Sequence, residues 1–492
     1  MKYLPKTIEY GLYLLVFLLP IQTRWIIKAG GTEYLSYSLY GTDILLILLL
    51  LLFVAYKFSI FPGRARTSNS QFINNFQLIN FKTKCKSPVW WFVNGLVLVS
   101  AISVLFAADK WLALYKLGWL ILGVGLFWLI VSASYDRLKL IYAVLAGLFL
   151  QSILGIWQFL TQSSFANKWL GLALHNGTDL GTSVIEAVGA DGIGERWLRA
   201  YGGLDHPNML GGVLAVGILL VIGRIITMER KKNFQFSLVE PGQAIFNAKI
   251  FEMIVWIFLI VFTAALFFSF SRSAWLGLAV GLVIMMIIAV VKRNLKLQKS
   301  LAEIILVIGV VLFVLFSQYQ NLITSRLGGE GRLEEKSTFE RLISYQESCQ
   351  IIKNNWASGV GRGNYTLALS RQIPGRESFY YQPTHNVFLL VLSETGIVGL
   401  LFFVALLFVI ASDRRNRGNL TYSDDNQRLL RRCASRNDSI NGGTILIALV
   451  VMMTFDHWLF SLHFGVLFFW LVLGIVASSK RDEMDTEKNS LN

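Results

Sequence analysis

The sequence predicts an all-α, polytopic membrane protein with about twelve transmembrane helices and a long outward loop containing short helices. Three observations predict it. Hydrophobic residues make up 54% of the 492-residue chain. About twelve apolar runs approach the ~20 residues that a helix needs to cross a bilayer. Lys and Arg alternate with those runs, and they do not gather on one basic face. The net charge of +15 would suit nucleic acid, but charge distributed this way excludes that class and leaves the lipid bilayer as the expected surroundings.

Taken in order, the apolar runs lie at about 8–27, 41–57, 88–106, 112–133, 140–162, 208–227, 251–270, 273–291, 301–318, 386–411, 442–458 and 463–479. The first reads as an anchor: Tyr10–Pro20 is apolar, and no small-residue cleavage site follows it. An even number of spans places both termini on one side. With that side cytoplasmic, 29 of the 45 Lys and Arg residues fall on inward segments. Eight of the outward remainder lie in one loop, 319–384, and long loops translocate regardless of charge. The chain then divides into helices 1–9 over 1–318 with an outward loop at 163–206, a long outward loop at 319–385, and helices 10–12 with a cytoplasmic tail over 386–492.

Cys349 is expected outside, with Cys85 and Cys433 inside, so no intrachain disulfide is predicted. The inward segments 228–250 and 412–440 read as solvated polar linkers. In the long outward loop Ser337-Thr338-Phe339-Glu340 reads as a capping box opening a helix with a partly apolar face. Such a helix either lies flat at the outer interface or packs on the loops of the bundle.

Titratable residues at the outward ends of the spans are the candidates for chemistry. Arg272 sits in the turn Phe270-Ser271-Arg272-Ser273-Ala274-Trp275 between two apolar spans, and Arg199 stands shortly before another outward helix start. A snorkelling interfacial arginine is the structural alternative for each. Against it, Arg272 is the single charge between Met253 and Val291, where Ser or Asn would turn the chain at lower cost. His385, in Pro383-Thr384-His385-Asn386, stands at the first turn of a span. The positive end of the helix dipole keeps an imidazole there neutral, the form a general base needs. A structural cap is the alternative. His206 and His457 each follow an aspartate (Asp205, Asp456), and with Asn208 and Asn386 they form a second tier of site residues.

HExxH, CxxC, a phosphate-binding GxxxxGK[ST] loop and an outward DxD are all missing from the sequence, so no metal site and no cofactor are expected. One imidazole with several guanidiniums suits a substrate bearing a diphosphate, because guanidinium forks bind phosphate oxygens in bidentate fashion. Transfer of a sugar from a diphosphate needs a base for the acceptor hydroxyl and cations for the departing diphosphate.

Three segments resemble the O-antigen ligase and polymerase family of bacterial envelope enzymes. They are RAYGGLDHPN at 199–208, the Ser271–Trp275 turn, and GVGRGNY at 359–365 followed by Pro383–Asn386 and Glu394-Thr395-Gly396. Asp456-His457 fits as well. The resemblance implies a multi-pass protein of the bacterial inner membrane, with cytoplasmic termini and a periplasmic site. It implies a metal-independent glycosyltransferase whose donor is a glycan on undecaprenyl diphosphate. The acceptor hydroxyl would be borne by lipid A core or an equivalent lipid or glycan, as in lipopolysaccharide biosynthesis. Arg199, Arg272 and Arg341 would hold the diphosphate, and His385 would activate the acceptor. Ligases, polymerases that extend the repeat and glycan-to-protein transferases share these segments. A transporter with no covalent chemistry is the alternative from another class, as twelve spans with both termini inside are common there.

Overall fold

Inside a bilayer every backbone polar group must be paired within the protein, and a helix does this within its own segment. The apolar runs accordingly fold as helices. The computed structural model describes residues 3–59, 88–179, 181–188, 194–235, 243–328, 332–412 and 442–478. Among these, nine helices are long and apolar enough to cross a membrane. They are α2 (Gly41–Ser59), α3 (Pro88–Ser103), α4 (Lys110–Ser132), α5 (Arg137–Thr161), α6 (Pro207–Gln235), α7 (Gln243–Ser269), α8 (Arg272–Val291), α9 (Leu295–Gln318) and α13 (Val387–Ser412). Three shorter apolar helices occupy the remaining expected runs: α1 (Leu4–Leu18), α14 (Gly442–Met453) and α16 (His463–Ser478). The loop at 319–385 contributes α10 (Gln320–Gly328), α11 (Arg332–Asn355) and α12 (Tyr365–Gln372), and the short α15 (Trp458–Ser461) precedes α16.

Two helices form the centre. The apolar part of α6 is buried along nearly its whole length against α5, α7 and α8. Almost every residue of α16 is buried, and it packs along α4. Small residues permit the close approach: a Cβ added to Gly123 of α4 would lie 2.3 Å from the Trp470 ring, and one added to Gly212 of α6 would lie 2.5 Å from Trp458.

The structure departs from the sequence expectation at several places. The run at 8–27 is helical only to Leu18. Arg24–Lys28 (β1) then pairs antiparallel with Tyr37–Tyr40 (β2), because the polar Gln22-Thr23-Arg24 and the Gly30-Gly31 pair interrupt the apolar pattern. A second hairpin, Val184–Val188 (β3) with Gly194–Leu198 (β4), closes the segment at 163–206. The proposed capping box lies inside α11, which begins at Arg332. That helix packs on α13, with Glu347, Ser348 and Ile351 of its second half buried, while Phe339 and Leu342 in its first half are exposed. The described parts of the expected linker at 228–250 continue α6 and α7 as helix. The 412–440 linker, beyond its first residue, and Cys85 and Cys433 lie outside the described residues, while Cys349 is free and exposed.

The span at 386–411 is broken: Gly396, at φ 69° and ψ −177°, separates two helical pieces of α13. The run at 442–458 also ends early, at Met453, and Thr454–His457 forms a non-helical turn. Irregular backbone at membrane depth is tolerated where protein buries it or where it lines a cavity.

Candidate functional site

The site is built on these breaks. In GVGRGNY the three glycines Gly359, Gly361 and Gly363 have φ of 68°, 91° and 71°, the left-handed region that glycine enters without strain. The loop they form is stitched into the kink of α13. Val360 N donates to the Ser393 carbonyl (2.9 Å), Gly361 N to the Glu394 carbonyl (3.0 Å), and Ile397 N to the Trp356 carbonyl (2.8 Å). The kink therefore leaves its carbonyls paired. Asn364 ties the far side of the loop to the start of α4, accepting from Asp109 N (2.8 Å) and donating to the Asp109 carbonyl (3.1 Å).

A polar relay joins residues from opposite ends of the chain. Buried Arg199 donates through Nε to the Ser269 carbonyl (2.8 Å) and through Nη2 to Asn208 Oδ1 (2.7 Å). Asn208 Nδ2 donates to Asp456 Oδ2 (2.8 Å), and the other Asp456 oxygen accepts from His457 N (2.8 Å). The His457 ring lies 5.1 Å from that of His385 and 5.8 Å from that of Tyr34 in the β1–β2 loop. His206 Nδ1 accepts from Asn208 N (3.0 Å), so its proton is on Nε2, which bonds Ser183 Oγ (2.9 Å).

His385 does not stand in the first helical turn. Asn386 is the residue that caps α13, its Oδ1 accepting from Leu389 N (3.0 Å) while its Nδ2 donates to the Thr454 carbonyl (3.2 Å). Asn386 thus fixes the helix end and the Thr454–His457 turn together, and it sets His385 beside Asp456. The Nδ1 of His385 is buried without a hydrogen-bond partner.

Burial dominates the electrostatics of the three imidazoles. It pushes His206 down to about 3, helped by the Arg199 guanidinium and opposed by Asp456. It pushes His457 down to about 3 as well, with His385 adding to the shift. The His385 pKa is lowered by burial and by Arg341, against the pull of Asp456. Burial works against an ionised Asp456, but the three imidazoles and the Asn208 amide outweigh it, and its pKa is lowered. At pH 7 the site therefore holds a carboxylate, neutral imidazoles and guanidiniums.

Arg199, His206, Asn208, His385, Asn386, Asp456 and His457 are thus brought together. Arg341, on α11, is close enough to bias His385. Arg272 opens α8 three residues after the Ser269 carbonyl that Arg199 grips. The turn between them is braced a second time by Arg326, whose Nε donates to the Phe270 carbonyl (3.3 Å). Phe270 itself is fully buried at φ 48°, a left-handed conformation that costs a bulky residue roughly 1–2 kcal/mol. Sequence reasoning missed Arg326, Tyr34, Lys116 and Arg362. The last of these stands inside the glycine motif, which was the available signal. His385, Asp456 and His457 each offer one ligand atom within 4.8 Å of the others, so two imidazoles and a carboxylate could hold a divalent cation. Arg341 and Glu340 act on His385 in opposite directions, so charges of both signs lie near this trio.

The fold and the site define a polytopic helical membrane protein with an arginine- and histidine-lined centre at one end of the bundle. A family model described as O-antigen ligase matches residues 257–404, a stretch containing Arg272, Arg341, the glycine loop and His385. The match supports assigning the chain to the O-antigen ligase and polymerase family. Comparison with curated proteins gave no match.

Proposed function

We propose that this protein transfers a glycan from undecaprenyl diphosphate to an acceptor hydroxyl, on lipid A core or an equivalent lipid or glycan, at the periplasmic face and without a metal. One observation carries this reading: a half-buried, neutral imidazole at His385 lies beside a carboxylate that is chained through Asn208 to the Arg199 guanidinium. The acceptor O–H would lose its proton to His385 as its oxygen bonds the sugar C1. The C1–oxygen bond to the diphosphate breaks with inversion, and the charge growing on the departing diphosphate meets Arg199, Arg272 and Arg341. The hydrogen-bonded Asp456 favours the imidazolium that forms. The outward direction of the site rests on the Lys and Arg distribution.

Purified protein with a lipid-linked glycan and an acceptor tests the proposal. Transfer should persist in EDTA and vanish in His385→Ala. Wild-type turnover in that variant removes the base, and loss of transfer in EDTA turns the His385–Asp456–His457 trio into a metal centre. Ligation and polymerisation share this chemistry. In a deletion strain, long chains accumulated on the carrier mark a lost ligase, and single repeats on the carrier mark a lost polymerase.

A further inference from the structure

Beside the imidazoles lies a cavity that the proposed chemistry does not use. Two buried cations line it: Lys116 of α4 and Arg362 of the glycine loop. The Lys116 Nζ has no hydrogen-bond partner and sits 3.6 Å above the Trp119 ring. Arg362 donates through Nε to the Lys116 carbonyl (3.4 Å) and stacks 4.1 Å from the Phe460 ring, while its Nη1 has no partner. Thr366 Oγ1, also on the wall, is a third buried polar atom without one. Glu394 lines the same space and lies within electrostatic range of both cations, but its carboxylate accepts from the backbone of Gly363 and Tyr365 and makes no salt bridge to either among the described residues. Buried N–H donors left without an acceptor, here Lys116 Nζ and Arg362 Nη1, are costly, so a ligand oxygen is the natural partner for them.

The fold maintains this arrangement deliberately in its backbone. Gly363 must be glycine for the loop to lie on the lysine: at φ 71°, an added Cβ would fall 2.4 Å from Lys116 Cγ. The enclosed space, about 20 Å³ for the centres of water-sized groups, admits one or two such groups and not a sugar ring. The cavity reaches the imidazoles through Pro383, two residues before His385, and through Ser461, whose Oγ bonds His457 Nδ1 at 2.7 Å.

We infer that Lys116 and Arg362 form an oxyanion pocket that takes a carboxylate or phosphoryl end-group of a ligand entering the His385 site. The pocket is separate from Arg199, which approaches Asp456 through Asn208, whereas Ser461 and the cavity adjoin His457. Only the statement that a substrate carries the anion rests on the proposed glycan transfer; the pocket itself rests on its unpartnered cations.

The test is binding of inorganic phosphate and of acetate to the purified full-length protein, read by calorimetry and thermal shift against chloride at equal ionic strength. Lys116→Met is expected to weaken oxyanion binding at least tenfold, and Lys116→Arg to retain it within a few-fold. Glu394→Gln, which removes the competing carboxylate, is expected to tighten it. Phosphate binding without acetate binding identifies a phosphoryl group, and the reverse identifies a carboxylate. Unchanged affinity in Lys116→Met overturns the pocket; should that variant not fold, failure of Glu394→Gln to tighten binding overturns it. His385→Ala keeps the oxyanion shift while transfer stops. Transfer surviving in His385→Ala would sink the proposed function and leave the pocket standing.

Discussion

Replacing Asp456 with Asn probes the centre most directly, since the two side chains are nearly isosteric and the change removes the charge together with one of the two acceptors used by Asn208 Nδ2 and His457 N. Asp456 and His385 present ligand atoms within 4.8 Å of each other. A unit charge at that distance stabilises an imidazolium by about 3.5 kcal/mol at an effective dielectric near 20. If the proton is half transferred in the transition state, about half of that energy is lost, which corresponds to roughly a 20-fold fall in kcat; full transfer gives roughly 300-fold. The ground state contains neutral His385 in either protein, so KM for the donor should change little. Steady-state and single-turnover transfer from a lipid-linked glycan measure both quantities, with thermal unfolding as a control for folding. A kcat within twofold of wild type in a folded protein, or an effect confined to KM, refutes the claim that Asp456 stabilises charge on His385.

Arg199→Lys keeps a cation but cannot make both the Ser269 and the Asn208 bonds; losing one charged hydrogen bond costs about 1.5–3 kcal/mol, so kcat/KM should fall roughly 10- to 100-fold in the same assay. Gly396→Ala forces a Cβ at φ 69° to within 2.1 Å of the Ala357 carbonyl oxygen, and thermal unfolding in detergent should show a lowered Tm or no folded protein. Because His385 is shifted below 6.5, kcat/KM should hold from pH 7.5 to 6.5 and decline only at lower pH, as the base becomes protonated. His206 and His457 are neutral when folded, with values of about 3, whereas the unfolded chain takes up their protons below about 6.5. Stability is therefore fully present above that pH and is lost as pH falls toward 3, so Tm should be lower at pH 5 than at pH 7.5. Finally, Cys349 is exposed on α11, and a membrane-impermeant maleimide should label it in intact spheroplasts if the loop faces outward; labelling only after lysis would reverse the topology.

The helical membrane class was legible because bilayer length and hydrophobicity are properties of contiguous sequence. Arg199, His385 and Asp456 were singled out for a similar reason: charge at the end of an apolar run is costly wherever the chain goes next. The breaks were less visible. Gly396 interrupts a run so apolar that composition alone continues the helix through it, and only its φ reveals the kink. The β1–β2 hairpin was hidden by Trp25, Ile26 and Ile27, which lengthen the first apolar run although all three are exposed in the fold. Tyr34 went unnoticed with it. Lys116 reads as an ordinary residue in α4 until the glycine loop is laid across it, because its significance lies in a contact between positions 116 and 363. No local pattern encodes such a pairing.

The distribution of irregular backbone argues that these features belong together. Gly359, Gly361, Gly363 and Gly396 at positive φ, Phe270 in a left-handed conformation, and the non-helical Thr454–His457 turn come from four parts of the chain. Each carries a cost that a continuous helix would avoid. The glycine loop is bonded to the residues flanking Gly396, Phe270 is held by Arg326 next to the carbonyl that Arg199 holds, and Thr454 is bonded by the cap of α13. Independent packing defects would scatter along the bundle, whereas these interlock around His385 and Asp456. A site assembled from segments hundreds of residues apart requires helices to stop where its residues meet, and these irregular turns are where they stop. Relaxing one turn should then act on the others: Gly396→Ala and Asp456→Asn are expected to be non-additive in Tm, because α13 carries both the Asn386 bond to the Thr454–His457 turn and the kink held by the glycine loop.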